Sequence, residues 1–373
     1  MTQMSSELDF ELMRKLSETP GVSGFEDEIA KIFRDELARY VDNTRIDKMG
    51  NVIGTKNSAK ADAPKVMVLA HMDEIGLMAK YIEDNGFIRF DKVGDLIDYL
   101  FPGKHVLVHG EKGPVSGVVG VIPAHMIGGG TWGGPERLTS PAVKDQFIDV
   151  GARSREEVEK MGIVVGSPVT YKAPLEYIGN GFLSGKAMDD RALLYVIIKA
   201  MQNLSKTKHD ATVLAVGTVE EEPGLRGAKT TAYDLAPDAA IGLDITLCGD
   251  AAGMDFKTAP LRLDGGPAIK VMDTDVPLTG LIAHSKIRKL LVDTAKENKI
   301  RYQLEVFSSG LTTDATAVAV SRSGVPTGAL ALPSRYAHTP VELISIRDLN
   351  DLIDLLTKAL LRIKSKSDIS KGA

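Results

Sequence analysis

Two histidines and a set of carboxylates stand directly after short apolar runs, and this placement is the first sign of chemistry. KVMVLA (65–70) leads into His71-Met72-Asp73-Glu74, and TVLAVGTV (212–219) into Glu220-Glu221-Glu222. AAIGL (239–243) ends at Asp244, and TGALAL (327–332) leads through Pro333, Ser334, Arg335, Tyr336 and Ala337 to His338. Asp189, in GKAMDDR, precedes a helical pattern. Singly, each has a plainer reading: a His-x-Asp pair is common, successive glutamates suit the start of a helix, and an Asp before a helix is a natural cap. Together, two histidines and three carboxylates at strand ends form a ligand set for paired hard or borderline divalent ions. Such a pair needs a bridging carboxylate and terminal ligands, and it draws the pKa of a shared water down to roughly 7. A general base must sit beside the ligands without being bound. The run of glutamates supplies this pair, one binding and one free, and Asp73 is placed to accept the imidazole N–H of His71 and fix its tautomer.

Side chains so far apart in sequence meet only if the elements that carry them are ordered. The four apolar runs read as strands covered on both faces. Helical patterns cover 7–19, 27–40, 190–204, 281–298 and 347–365, the last opening on acids and closing on lysines. This is an α/β chain, a mixed sheet flanked by helices, with ligands expected in the crevice beyond the carboxyl ends of the strands. Residues 76–174 have a different texture: short β-like runs such as HVLVHG and VSGVVGVI alternate with Gly and Pro, and only 154–161 looks helical. They are expected to form a small β-barrel or sandwich inserted between 1–75 and 175–373. The glycine-rich HMIGGGTWGGPE is expected to be a surface hairpin loop.

The motifs in order resemble metallopeptidase family 42, the TET and deblocking or glutamyl aminopeptidases, some once labelled endoglucanases. The resemblance rests on AHMDEIG at 70–76, the segment 147–171, GKAMDDR at 185–191, EEPGLRGA at 221–228, GLDIT at 242–246 and AHTPVE at 337–342. It implies a zinc-exopeptidase-like domain with a PDZ-like barrel that drives dimerisation, dimers building a hollow dodecamer, and two divalent ions per subunit, zinc, cobalt or manganese. It further implies that His71, Asp244 and His338 are terminal ligands, Asp189 the bridge and Glu222 the remaining ligand. Glu221 is then the catalytic base: anchoring on Gly224-Leu225-Arg226-Gly227 selects Glu221 and Glu222 over Glu220. The resemblance also implies a cis Asp189–Asp190 peptide bond. Thr313 and Asp314 lie near where the family binds the first residue of its substrate, and His125 resembles a loop residue that reaches a neighbouring active site. There are two departures: Pro223 before GLRG, which is expected to be tolerated, and Leu311-Thr312-Thr313-Asp314-Ala315 in place of a more glycine-rich segment, which leaves the preferred first residue open.

Composition excludes other classes. A formal charge of −5 with interspersed signs gives no footprint for nucleic acid. The single Cys248 forbids an intrachain disulfide and any thiolate-rich zinc site. Charges interrupt the first sixteen residues, and no apolar run reaches the roughly 18 residues of a membrane span, so a cytoplasmic protein without membrane partners is expected. Glycoside hydrolysis needs only an acid and a base; it has no use for His71 and His338, and Trp132 is the sole tryptophan for sugar stacking.

Overall fold

The computed structural model describes residues 8–122, 141–275, 279–307 and 312–371. The chain begins with α1 (Phe10–Glu18), whose first turn is capped by the Asp9 carboxylate, then α2 (Asp27–Leu37), the hairpin β1 (Asn43–Ile46) and β2 (Val52–Lys56), and β3 (Lys65–His71). A second segment supplies β4 (Gly76–Ile82), β5 (Ile88–Val93), β6 (His105–Gly110), β7 (Gly113–Val119), β8 (Ile148–Asp149), α3 (Arg155–Lys160) and β9 (Pro168–Tyr171). The chain continues through β10 (Glu176–Ile178), β11 (Phe182–Gly185), α4 (Met188–Leu204), β12 (Thr212–Thr218), α5 (Arg226–Leu235), β13 (Ala239–Leu247), β14 (Ala268–Asp275) and β15 (Thr279–Ile282). It ends with α6 (Ser285–Asn298), β16 (Gln303–Phe307), α7 (Asp314–Ala319), β17 (Thr327–Arg335), β18 (Glu342–Ser345) and α8 (Ile346–Arg362).

The chain forms two units. One comprises Met1–Asp73, Pro174–Ala337 and Val341–Ala373; the other comprises Glu74–Ala173 and His338–Pro340. In the first, a mixed sheet runs β1-β2-β12-β3-β13-β17-β18-β11-β10, with β14 branching from β17 to pair with β15 and β16. β12, β3, β13 and β17 are mutually parallel, so their carboxyl ends share one edge. The alternation of a strand explains why these runs are apolar throughout. In β3, Val66, Val68 and Ala70 join the core formed with α1, α2, α4, α6 and α8, while Met67 and Leu69 face the opposite core with Ala228 and Ala232 of α5 and Ala317 and Val318 of α7. Each fully buried Val or Leu contributes about 1.5–3 kcal/mol. The second unit is a closed antiparallel barrel, β4-β5-β8-β7-β6-β9, filled by its own core of Leu77, Phe90, Phe101, Val106, Val108, Ile148 and Val169.

Several elements depart from the sequence reading. Leu281 and Ile282 are not helical but form the end of β15, paired with Asp273 and Met272, and α6 begins at Ser285. An apolar pair at the edge of a helical pattern fits either period, and here the Asp273 carboxylate, accepting the Leu281 N–H, fixes the strand. Asp244 lies inside β13, which continues to Leu247 beside β17. The short strands β1, β2 and β14 to β16 lack the apolar runs that mark the central strands, and their periodicity alone did not reveal them.

Candidate metal centre

His71 is the last residue of β3, paired in register with Thr218 at the end of β12. Its Nδ1 lies 3.1 Å from the backbone carbonyl oxygen of Asp73, which can only accept, so the ring carries a proton there. Nε2 then faces Asp189 Oδ1 at 3.0 Å. A lone pair and a carboxylate oxygen that close require a proton or a cation between them. Asp189 and Asp190 open α4 with non-helical backbone, and the bond between them is cis, as the resemblance implied. The Asp189 N–H donates to Glu342 Oε2 at 3.0 Å, and Asp190 Oδ2 accepts the His71 backbone N–H at 3.1 Å. Asp190 is therefore a tie between α4 and the end of β3 and not a conventional helix cap.

His71, Asp189, Asp190 and Asp244 each offer a ligand atom, all within 4.8 Å of one another, and so do Asp189, Glu222 and His338. Asp189 belongs to both groups. His338 follows β17 with φ of 59°, and its Nδ1 lies 2.6 Å from the carbonyl oxygen of Asp95.

The electrostatics fit a cation. Burial, and then the charge of Asp244, holds the Asp190 carboxyl well above the usual range; burial and Asp189 do the same to Asp244. Burial works against protonation of His71, but the carboxylates of Asp189 and Asp73 beside the ring win and raise its pKa well above the ordinary value. Three buried acids crowd about one imidazole here, and oxygen and imidazole donors at this density suit a divalent ion.

Asp73 has a part beyond the one read off the sequence. Its carboxylate is 3.5 Å from His71 Nδ1, farther than its own carbonyl. It also accepts the backbone N–H groups of Glu221 at 3.0 Å and Glu222 at 3.1 Å, and the hydroxyl of Ser23 at 2.7 Å. The main-chain carbonyl is the nearer acceptor for the ring, and the side chain holds the glutamate loop. Withdrawal from water pushes the Glu221 carboxyl well above the usual range, helped by Asp244, Asp314 and Glu222 and opposed by His71. Asp314, the first residue of α7, accepts the Thr218 hydroxyl on Oδ2, while its buried Oδ1 and the buried Thr313 hydroxyl have no hydrogen-bond partner among the described residues. Burial lifts Asp314 to about 6. His125 and the HMIGGGTWGGPE segment lie outside the described residues.

Residues 50–355 match the M42 glutamyl aminopeptidase family. The chain belongs to that family. It is an M42 aminopeptidase, a peptide hydrolase of the exopeptidase class. The lysyl aminopeptidase of Pyrococcus furiosus is 36% identical over 95% of this chain and 97% of its own length. Among solved structures, the aminopeptidase APDkam598 from the archaeon Desulfurococcus kamchatkensis is 38% identical with a TM-score of 0.90 and 97% of each chain covered. The Pyrococcus horikoshii TET1 peptidase, which can assemble into a tetrahedron or a large octahedral shell, is 29% identical with a TM-score of 0.83 over 95% of this chain and 99% of its own.

Sequence reasoning missed the supports of this M42 site: Glu342 behind Asp189, Thr218 on Asp314 and Ser23 on Asp73. Glu342 stood inside a quoted motif, AHTPVE, but a carboxylate that takes a backbone N–H has no local signature. Ser23 sits in PGVSGF, where small residues read as a turn. Among the described residues, no helix is long and apolar enough to cross a membrane.

Proposed function

We propose that this M42 aminopeptidase removes N-terminal residues from peptides with two divalent ions, zinc, cobalt or manganese. His71 and Asp244 would hold one ion, Glu222 and His338 the other, with Asp189 bridging. The carrying observation is that Asp189 alone belongs to both clusters of potential ligand atoms. When bound, the ions polarise the scissile carbonyl and acidify a water.

The protein's own groups do the rest. Glu221, adjacent to a ligand and held by its backbone, takes a proton from the attacking water and delivers it to the nitrogen of the departing amine as the C–N bond breaks. Withdrawal from water raises its affinity for a proton above that of an ordinary carboxylate, which favours taking one from the attacking water. The peptide-bond carbon gains the water oxygen, so the products are an amino acid and a shortened peptide. Asp314 and Thr313, with polar atoms left over in the interior, are proposed to bind the first residue of the substrate, and His125 to contribute from a neighbouring subunit. We also propose a homo-oligomer in which the barrel unit forms dimers that build a dodecamer in the cytoplasm.

The test compares Glu221→Gln with Glu222→Gln by elemental analysis and arylamidase rates on a panel of aminoacyl-arylamides and blocked peptides. Glu221→Gln should keep its metal while turnover falls roughly 10²–10⁴-fold, the contribution of a positioned acid–base group. Glu222→Gln should lose one ion, with partial recovery in excess metal. Metal loss from Glu221→Gln alone exchanges the roles, and full activity in both ends the dinuclear mechanism. Cleavage of N-terminally blocked peptides as fast as free ones would end the aminopeptidase assignment.

A further inference from the structure

The segment from Val219 to Glu222 is neither strand nor helix, yet every one of its backbone N–H groups has a side-chain acceptor. Val219 donates to Asn51 Oδ1 at 3.0 Å, Glu220 to Glu26 Oε1 at 3.0 Å, and Glu221 and Glu222 to the two oxygens of Asp73 at 3.0 and 3.1 Å. The carbonyls of the same stretch turn the other way: Val219 accepts from Gly227, Glu220 from Arg226, and Glu221 from Gly224 and Leu225. A chain that leaves the sheet must find partners for its main-chain groups. Here the helix start takes the carbonyls, and three residues from the amino-terminal part of the chain take the four amides.

The acceptors are themselves fixed. Asn51 is buried, and its Nδ2 donates to Asp47 Oδ2 at 2.8 Å, which orients the amide so that Oδ1 faces Val219. Glu26 is buried at the start of α2, and its Oε1 also accepts the Gly24 N–H at 2.9 Å. Gly227 completes the arrangement: a Cβ there would come within 2.3 Å of Asn51 Oδ1 and 2.5 Å of the Val219 carbonyl oxygen, so only glycine lets α5 close on the segment.

We infer that Glu26 and Asn51 are positioning residues of the reaction, which act through the backbone of 219–222 to aim Glu221 and Glu222. The inference rests on the reading of Glu221 and Glu222 given above. Glu26 supplies an acceptor oxygen to two amides and Asn51 supplies one; neither touches substrate or metal. A displacement of about 1 Å at a reacting group costs on the order of 10²-fold in rate, so loosening this segment should lower kcat and leave KM largely alone.

The experiment uses the intact metal-loaded enzyme with Glu26→Ala, Glu26→Gln, Asn51→Ala and, in parallel, Glu221→Gln. Both alanine variants should lower kcat by about 10- to 100-fold with little change in KM, the pattern of an interaction realised in the transition state. They should also speed hydrogen exchange in peptides spanning 219–225. Glu26→Gln keeps an acceptor oxygen and should restore most of the kcat lost in Glu26→Ala; a merely structural role would not predict this selective rescue. The inference is overturned if either alanine variant exchanges and turns over like the parent, or if Gln at 26 falls as far as Ala. Should Glu26→Ala fail to fold, Asn51→Ala decides by the same criteria. An active Glu221→Gln would sink the assignment of the base, whereas the exchange rates still report whether the clamp exists.

Discussion

At the residue scale, buried polar side chains tie segments that are distant in the chain. Arg191 is the clearest case: fully buried, it donates through Nε to the Met72 carbonyl at 2.6 Å and through Nη1 to the Leu16 and Thr19 carbonyls at 2.7 and 2.9 Å. One planar fork therefore fixes the turn after His71 to the end of α1. Lysine has the charge but not the fork. Arg191→Lys should destabilise the protein by about 3 kcal/mol, the scale for breaking a buried charged network, measured by urea unfolding of the chelated enzyme. Glu26 gives a pH dependence. Burial, and then the charge of Asp73, raises its pKa to about 7. Between its unfolded value near 4.5 and 7 the native state holds a proton that the unfolded chain has released, so folding stability falls as pH rises through that window. The loss is about 3 kcal/mol at most. Glu26→Gln lacks this titration, so its stability relative to the parent should improve as pH is raised from about 4.5 to about 7. A difference independent of pH would refute the assignment.

Elements are held by caps and close approaches that a sequence pattern marks only in part. α8 is the straightforward one: Ser345 accepts the Asp348 N–H, and the apolar residues Leu349, Leu352, Ile353, Leu356 and Leu360 recur on one face. Ser345→Ala should cost about 1 kcal/mol as a lost cap, somewhat more because its hydroxyl also donates to Asp264. α5 begins differently, with Leu225 in the left-handed region and no side-chain cap. Its first turn is built on Gly227 against the end of β12. Gly227→Ala should therefore destabilise by roughly 1–3 kcal/mol through overpacking and should lower kcat more than Ser345→Ala does, since it pushes on the segment that carries Glu221. Equal effects on kcat from the two substitutions would show that α5 does not set the base.

At the scale of the whole molecule, the first unit gathers acids that repel one another when no cation is bound. A divalent ion that binds the native chain and not the unfolded one stabilises it by about 4 kcal/mol per site at a thousandfold excess over Kd. Chelation should therefore lower the melting temperature, and readdition of zinc, cobalt or manganese should restore it. A melting temperature indifferent to chelator would argue against ions at Asp189. The barrel unit has its own closed hydrogen-bonded sheet and its own core, and chelation should leave hydrogen exchange in β4 to β9 unchanged while exchange at 189–190 and 219–222 increases.

The sequence by itself determined the α/β class, the central parallel strands and the residues at their ends, because strand burial imposes continuous apolar runs and the chemistry needs donors where those runs stop. The ordered motifs determined the family. Only the tertiary structure decided that the Asp73 carboxylate holds the glutamate loop while its carbonyl fixes His71, that Asp190 ties β3 to α4, and that Asn51 and Glu26 bind the amides of 219 and 220. Those partners are 168 and 194 residues apart in the chain. Local sequence encodes period, caps and turns through neighbouring atoms, but which distant carboxylate accepts which amide depends on packing that brings them within 3 Å, and no pattern in either segment records it.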